Sequence, residues 1–207
     1  MTARDDAVLV VFAKTPVPGR VKTRLIPELG EAGAAELYKA LLERTLRTAA
    51  GSEFKHIELH CTPSLDHPLL QSCRDEYNLS LHLQRGEDLG ERMHHAFSQV
   101  LFNNASAVLI GCDIPDLTAE DLNTAREKLE GDCDVVIGPA RDGGYYLVGL
   151  KREQEALFKD MAWGTAGVLE TTRRRIKENH LKYFELPARM DIDRPEDLKE
   201  LEKRSEG

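Results

Sequence analysis

No stretch of this sequence approaches the ~18 consecutive apolar residues that a membrane-spanning helix needs. Cysteine is scarce: there are four in 207 residues (Cys61, Cys73, Cys112, Cys133), with no C-x-x-C pair and no zinc-like spacing. That excludes a disulfide scaffold and a cysteine zinc site, and it points to reduced, mostly buried thiols in a cytoplasmic protein. The first residues, Met1-Thr2-Ala3-Arg4-Asp5-Asp6, lack the apolar segment of a secretory signal. Positive charge is in deficit, with 28 Lys and Arg against 36 Asp and Glu and a formal net charge of −8. This argues against nonspecific binding to nucleic acid or to an anionic membrane. Neither G-x-x-x-x-G-K-[ST] nor G-x-G-x-x-G occurs, so the two common glycine-rich phosphate loops are excluded. Internal repeats, low-complexity tracts and linkers are absent as well, and residues 1–207 are read as a single domain large enough to bury its own core.

What is present is alternation. Val8-Leu9-Val10-Val11-Phe12-Ala13-Lys14 is a short apolar run rich in β-branched residues, the mark of a strand buried on both faces. Residues 31–50 carry Leu37, Leu41, Leu42 and Leu46 at helical spacing, and Gly51 supplies a stop. Further strands are predicted over residues 55–62, 79–84, 107–111, 134–139, 145–150 and 181–186. Helices are predicted over residues 66–77, 89–102, 118–129 and 166–179, with a last one opening at Arg194-Pro195-Glu196. Thr118 and Asp121 have the spacing of a capping box. Residues 199–207 read as a charged, fraying end. Strands alternating with helices predict an α/β fold, a Rossmann-like, mostly parallel sheet covered on both faces. The Asp142-Gly143-Gly144 turn adds one antiparallel return.

Five segments carry candidate chemistry. The loop after the first strand holds Lys14, Arg20, Lys22 and Arg24 with two prolines and Gly19, in a chain that is otherwise acidic. The carboxyl end of a central strand is where α/β proteins bind ligands, and Lys and Arg there suit a phosphate. Gly19 permits close backbone approach. Gly111-Cys112-Asp113-Ile114-Pro115-Asp116 places Asp113 at a second strand exit, suited to Mg²⁺ or Mn²⁺ beside phosphate oxygens. Asp191-Ile192-Asp193 offers two more carboxylates, either of which is a candidate second ligand, ahead of a good helix N-terminus. Gln84-Arg85-Gly86-Glu87-Asp88-Leu89-Gly90-Glu91-Arg92 is a glycine-bearing strand-to-helix junction where a phosphate or flat group can approach backbone N–H groups. Asp142-Gly143-Gly144-Tyr145-Tyr146 crowds a carboxylate and two phenols onto one turn, suited to a hydroxyl-bearing acceptor or simply to a β-turn. The histidines suggest no metal set: His56 and His60 lie on a predicted strand, and the neighbours His94 and His95 point apart on a helix. Trp163 is expected to pack.

These five segments, taken in order, closely resemble the DUF2064 family of nucleotide-diphospho-sugar transferase-like proteins, over nearly the whole chain. Some members are named as glycosyltransferases of arsenosugar biosynthesis, and more distant relatives include molybdenum-cofactor nucleotidyltransferases and phospholactate guanylyltransferases. The resemblance implies a glycosyltransferase-A fold. It implies nucleotide binding by Lys14, Gly19, Lys22, Arg24, Gln84, Gly86, Asp88, Gly90 and Arg92, with Lys22 and Arg24 on the phosphates. It implies Mg²⁺ or Mn²⁺ on Asp113 and Asp193, and an acceptor at Asp142, Gly143, Gly144 and Tyr145. Asp142 and Lys22 are the catalytic candidates. The leading expectation is a metal-dependent glycosyltransferase working from a nucleotide-diphospho-sugar on a small hydroxyl acceptor. The alternatives are a nucleotidyltransferase joining an NTP to a phosphorylated small molecule, and a non-catalytic nucleotide-binding protein.

Overall fold

The computed structural model describes residues 6–205, with side chains to residue 200. Met1 to Asp5, where the absence of a secretory signal was read, and residues 206–207 lie outside the described residues. Seven strands form one sheet: β1 (Ala7–Lys14), β2 (His56–Thr62), β3 (Ser80–Leu83), β4 (Ser106–Ile110), β5 (Val135–Pro139), β6 (Tyr145–Leu150) and β7 (Tyr183–Glu185). Their spatial order is β3-β2-β1-β4-β6-β5-β7. β6 runs antiparallel to both of its neighbours, β4 and β5, and the remaining pairs are parallel. The antiparallel element expected at the Asp142 turn is therefore an inserted strand that separates β4 from β5.

Among the described residues there are six α-helices: α1 (Ile26–Ala50), α2 (Pro68–Tyr77), α3 (Leu89–Leu101), α4 (Ala119–Glu130), α5 (Val168–Glu178) and α6 (Pro195–Ser205). The first five cover the sheet, and α6 packs through Leu198 beside Leu25, Leu41 and Ile192. β1 shows why its sequence is a continuous apolar run. Leu9, Val11 and Ala13 pack with Leu42, Leu46, Leu122 and Leu129 of α1 and α4 on one face. Val8, Val10 and Phe12 pack with Met93, Phe97 and Ile176 of α3 and α5 on the other. A strand with both faces dry has no polar positions to alternate with. No described helix is long and apolar enough to cross a membrane. Cys61, Cys73 and Cys112 are buried, Cys133 is partly exposed, and all four are unpaired.

The element limits differ from the sequence expectations in instructive places. α1 starts at Ile26 rather than residue 31, because Pro27 suits a first turn. A kink at Gly30 (φ 68°, ψ 169°) then separates that turn from the leucine-bearing stretch. α2 is capped by His67, whose Nδ1 accepts from the Leu69 N–H at 3.2 Å. Asp66, expected to start it, instead closes a turn with Ser64. The Thr118–Asp121 capping box is present in full. The end read as a fraying tail from residue 199 continues helix α6 to Ser205. Short 3₁₀ turns at Thr23–Leu25 and Glu155–Leu157 carried no sequence signal.

The strand order reverses between β1 and β4. β1 is followed by α1 on one face of the sheet, and β4 is preceded by α3 on the other. The carboxyl ends of these two strands flank the crevice where open α/β sheets hold ligands.

Candidate functional site

The crevice is a cleft of about 570 Å³ at the carboxyl ends of β1 and β4. Tyr38 ties the two strand ends together beneath it: its hydroxyl oxygen accepts from the Lys14 backbone N–H at 2.6 Å and from the Cys112 thiol at 3.2 Å. Burial, helped by the neighbouring Cys112, pushes the Tyr38 phenol well above its ordinary pKa. The phenol is thus a neutral structural tie.

Above this floor the loop after β1 delivers Lys22. Its backbone sits in the left-handed region (φ 46°) and opens the 3₁₀ turn that buries Leu25. That turn swings the lysine inward, and only 3% of its side chain is exposed. Nζ contacts Asp113 Oδ1 at 2.6 Å and donates to the Ile192 carbonyl. Arg24, on the same turn, pairs with Asp193. The Ile192 N–H donates to the Asp113 carbonyl at 3.0 Å, which locks the segment after β7 against the exit of β4. Ile192 is fully buried with Leu25 and Met190. In an extended segment its neighbours Asp191 and Asp193 point the opposite way, and both line the cleft. The cation loop and the carboxylates, far apart in sequence, are brought together as two ion pairs.

A second wall carries Asp142, Gly144, Tyr145 and Trp163. Asp142 Oδ1 accepts from the Gly144 N–H at 2.8 Å, closing the turn read from sequence. Gly143 (φ 92°) faces away from the cleft, because a Cβ there would lie 2.3 Å from the Ala166 carbonyl oxygen. Tyr145 and Trp163 meet edge to face, 6.3 Å between ring centroids. The Tyr145 hydroxyl and the Trp163 Nε1 are buried without a hydrogen-bond partner among the described residues. Buried donors of this kind are rarely left unsatisfied in a finished site. Burial also drives the Tyr145 phenol far above its ordinary pKa, so it stays a neutral hydroxyl within the wall. Trp163, expected only to pack, is part of the wall.

Of the residues singled out by sequence, Lys14, Lys22, Gln84, Arg92, Asp113, Asp142, Gly144, Tyr145 and Asp193 line the cleft. Gly19, Arg24, Gly86, Asp88, Gly90 and Gly143 are not on its wall. Local structure explains the second group. Asp88 is the N-cap of α3 and accepts from the Glu91 N–H at 2.8 Å. Gly90 packs on Trp163, since a Cβ there would lie 2.6 Å from the indole nitrogen. Gly86 (φ 136°) lets its carbonyl receive the Arg92 Nε–H at 3.0 Å. Gly19 meets the loop's need for a left-handed residue (φ 76°). Gln84 clamps strand ends, donating to the Ala13 carbonyl at 3.1 Å and the His60 carbonyl at 2.8 Å.

The charge balance bears on a metal. Asp191 has its carboxyl pKa raised, first by burial and then by the neighbouring charge of Asp142. Carboxylates crowded enough to repel, beside a lysine and an arginine, form a donor set that suits an octahedral Mg²⁺ or Mn²⁺ sharing phosphate oxygens. These aspartates do not converge on one point as a set of three. Among the described residues, the group whose ligand atoms lie within 4.8 Å of one another is Glu58, His60 and His82. Sequence reading passed over these histidines because His82 joins His60 only through strand pairing.

Known proteins share the family and the fold. Residues 45–165 match DUF2064, described as an uncharacterized protein family conserved in bacteria. A provisionally named nucleotide-diphospho-sugar transferase from Desulfovibrio desulfuricans G20 is 32% identical, with a TM-score of 0.83 over 92% of this chain and 83% of that one. The 2-phospho-L-lactate guanylyltransferase of Methanocaldococcus jannaschii is 23% identical over 192 residues, 93% of this chain and 81% of that protein. The 4-diphosphocytidyl-2C-methyl-D-erythritol synthase of Anaerococcus prevotii DSM 20548 has the same fold, with 11% identity and a TM-score of 0.66 over 98% of this chain and 97% of that one.

Proposed function

This chain belongs to the DUF2064 family, and from that premise we propose that it is a metal-assisted nucleotidyltransferase acting on an NTP and a small phosphorylated or acidic acceptor. The observation that carries this reading is the pair of cation–carboxylate contacts, Lys22–Asp113 and Arg24–Asp193, at the strand-order reversal. A triphosphate develops charge on its α-phosphoryl group and on the departing pyrophosphate. Two fixed cations beside carboxylates able to share a divalent ion match that distribution. The likeness to a guanylyltransferase over 93% of the chain supports the same class.

Asp113, with Asp193 or Asp191, is the set that would hold Mg²⁺ or Mn²⁺, which would screen phosphate charge and polarise a phosphoryl oxygen. The residues of the chain do the rest. Lys22 contacts phosphate oxygens from a dry position, where a fixed charge acts most strongly. Arg24 and Lys14 add charge at the mouth. An acceptor phosphate oxygen attacks the α-phosphorus, the α–β bridging bond breaks, and pyrophosphate leaves. Asp142, Tyr145 and Trp163 orient the acceptor from the opposite wall. Gln84 and Arg92 border the side left for the nucleoside.

A second reading, glycosyl transfer from a nucleotide-diphospho-sugar, is favoured by one observation. Asp142 lies in the cleft with the Tyr145 and Trp163 side chains on the same wall, a carboxylate beside aromatic surface that suits a polyhydroxyl acceptor. There the acceptor hydroxyl attacks the anomeric carbon, Asp142 takes its proton, and a nucleoside diphosphate leaves. Incubation with NTPs and with nucleotide sugars, each with Mg²⁺ or Mn²⁺ and a panel of acceptors, separates the two. Pyrophosphate release is the expected result. Nucleoside diphosphate release would replace the first reading with the second. Nucleotide binding without either product, unchanged in Asp113→Ala, would make the chain a nucleotide-binding protein.

A further inference from the structure

A second cluster of ligating side chains lies outside the cleft, at the β2–β3 edge of the sheet. The parallel register sets Glu58 opposite Ser80 and His60 opposite His82, so Glu58, His60 and His82 share one face. This is the face of Phe12, which stacks on His60 at 5.9 Å. The two imidazoles stack on each other, 4.8 Å between centroids with 27° between planes. Their Nε2 atoms lie near one carboxylate oxygen: Glu58 Oε2 is hydrogen-bonded to His60 Nε2 at 2.7 Å and lies 3.6 Å from His82 Nε2, which is hydrogen-bonded to Ser80 Oγ at 3.1 Å.

Ligand bonds of about 2.0–2.2 Å place the donors around a tetrahedral zinc roughly 3.2–3.6 Å apart. The Glu58–His82 separation meets that spacing, and the Glu58–His60 pair, hydrogen-bonded at 2.7 Å, opens by roughly 0.5–0.9 Å when an ion takes the place of its proton. Two imidazoles and one carboxylate suit zinc and its late first-row neighbours, and disfavour Mg²⁺ and Ca²⁺, which prefer all-oxygen shells. Three protein ligands leave a coordination position open. The cluster is also graded in exposure: the His60 side chain is 3% exposed, Glu58 21% and His82 40%. A buried ligand gives rigidity, and the exposed one gives a path for entry.

We propose that Glu58, His60 and His82 bind one divalent transition metal of the zinc class, at a site separate from the cleft carboxylates. The ion cross-links β3, an edge strand of four residues, to β2. It acts one peptide away from the cleft wall, because the His60 carbonyl receives the Gln84 side-chain amide and the Cys61 carbonyl receives the Gln84 N–H at 2.9 Å.

The test uses the full chain without a histidine tag. Equilibrium dialysis measures Zn²⁺ stoichiometry and affinity, and Co²⁺ titration reports the ligand field through its visible absorption. One equivalent of Zn²⁺ at micromolar or lower free metal is expected, with a Co²⁺ band intense enough to mark four- or five-coordination. His82→Ala, at the exposed ligand, should fold normally by circular dichroism and weaken Zn²⁺ at least about tenfold, the loss that even outer-shell changes reach. Glu58→Gln should do the same, and Asp113→Asn should leave the Zn²⁺ affinity unchanged. Wild-type affinity in both His82→Ala and Glu58→Gln, or no stoichiometric Zn²⁺ on the wild type, would overturn the proposal. Loss of this Zn²⁺ in Asp113→Asn would overturn it equally, by moving the site to the cleft.

Discussion

Replacing Lys22 by methionine keeps the buried aliphatic stem and deletes one ammonium group. That group has two partners, the Asp113 carboxylate at 2.6 Å and the Ile192 carbonyl. A hydrogen bond involving a charged group contributes about 1.5–3 kcal/mol. The Asp113 side chain is 46% exposed although the Oδ1 that faces Lys22 is buried, so the carboxylate keeps water on its outer side and only part of the penalty for stranding a buried charge applies. Folding stability should therefore fall by about 1.5–3 kcal/mol, which is ~3–12 °C in melting temperature for a chain of this size. Nucleotide binding should fall separately. Loss of one charge-assisted phosphate contact of the same strength raises Kd by roughly 10- to 150-fold. Calorimetric titration of an NTP with Mg²⁺, below the melting range of the variant, measures the second effect free of the first. A Kd unchanged from wild type, alongside the expected loss of stability, would refute a phosphate role and leave Lys22 as a latch between Asp113 and Ile192. A double-mutant cycle with Asp113→Asn then checks the latch, since contacting partners are non-additive.

Three further substitutions probe the same frame. Asp113→Asn should abolish metal-dependent turnover while the circular dichroism spectrum stays native; retained activity would remove Asp113 from the metal set. Arg189→Met breaks an ion pair with Asp121 at 2.6 Å in which the side chains are 18% and 7% exposed, and should cost about 3 kcal/mol in denaturant unfolding; a loss below ~1 kcal/mol would mean that the Thr118 cap alone satisfies Asp121. Asp191 carries a pKa raised above its ordinary 3.8 by burial and by Asp142. Its proton is held more tightly in the folded chain, so its contribution to stability is present in acid and lost as pH rises through the folded value. Asp191→Asn should therefore melt higher than wild type at pH 7, and the gap should close below pH 4. A gap that persists in acid would show that charge is not the cause.

The sheet and its helices were legible because the signals are local. β1 is apolar throughout because both its faces are dry, and Thr118–Asp121 is a cap written in four residues. The cation loop and Asp113 were legible as chemistry for the same reason. Their relation was not. That Lys22 faces Asp113 and Arg24 faces Asp193 depends on the Ile192 N–H reaching the Asp113 carbonyl, a contact with no periodicity to announce it. Gly86, Asp88, Gly90 and Gly143 show the opposite limit. Glycine and aspartate at a strand-to-helix junction suggest ligand contact, and here they serve capping and close packing against Trp163 and Ala166. Glu58, His60 and His82 escaped notice because parallel pairing joins residues across an intervening helix.

The lysine-to-isoleucine contact spans 170 residues of chain, and the Arg24–Asp193 pair spans 169. A chain emerging from the ribosome makes β1 and its loop long before the Asp191–Asp193 segment. The cleft therefore cannot assemble until residues 191–193 have emerged, even if the sheet from β1 to β4 has already paired. Loop closure over so long a span also places these contacts late in refolding from denaturant. Nucleotide competence should appear after the bulk of the secondary structure, and a ribosome-bound intermediate should hold a nearly complete fold with no working site.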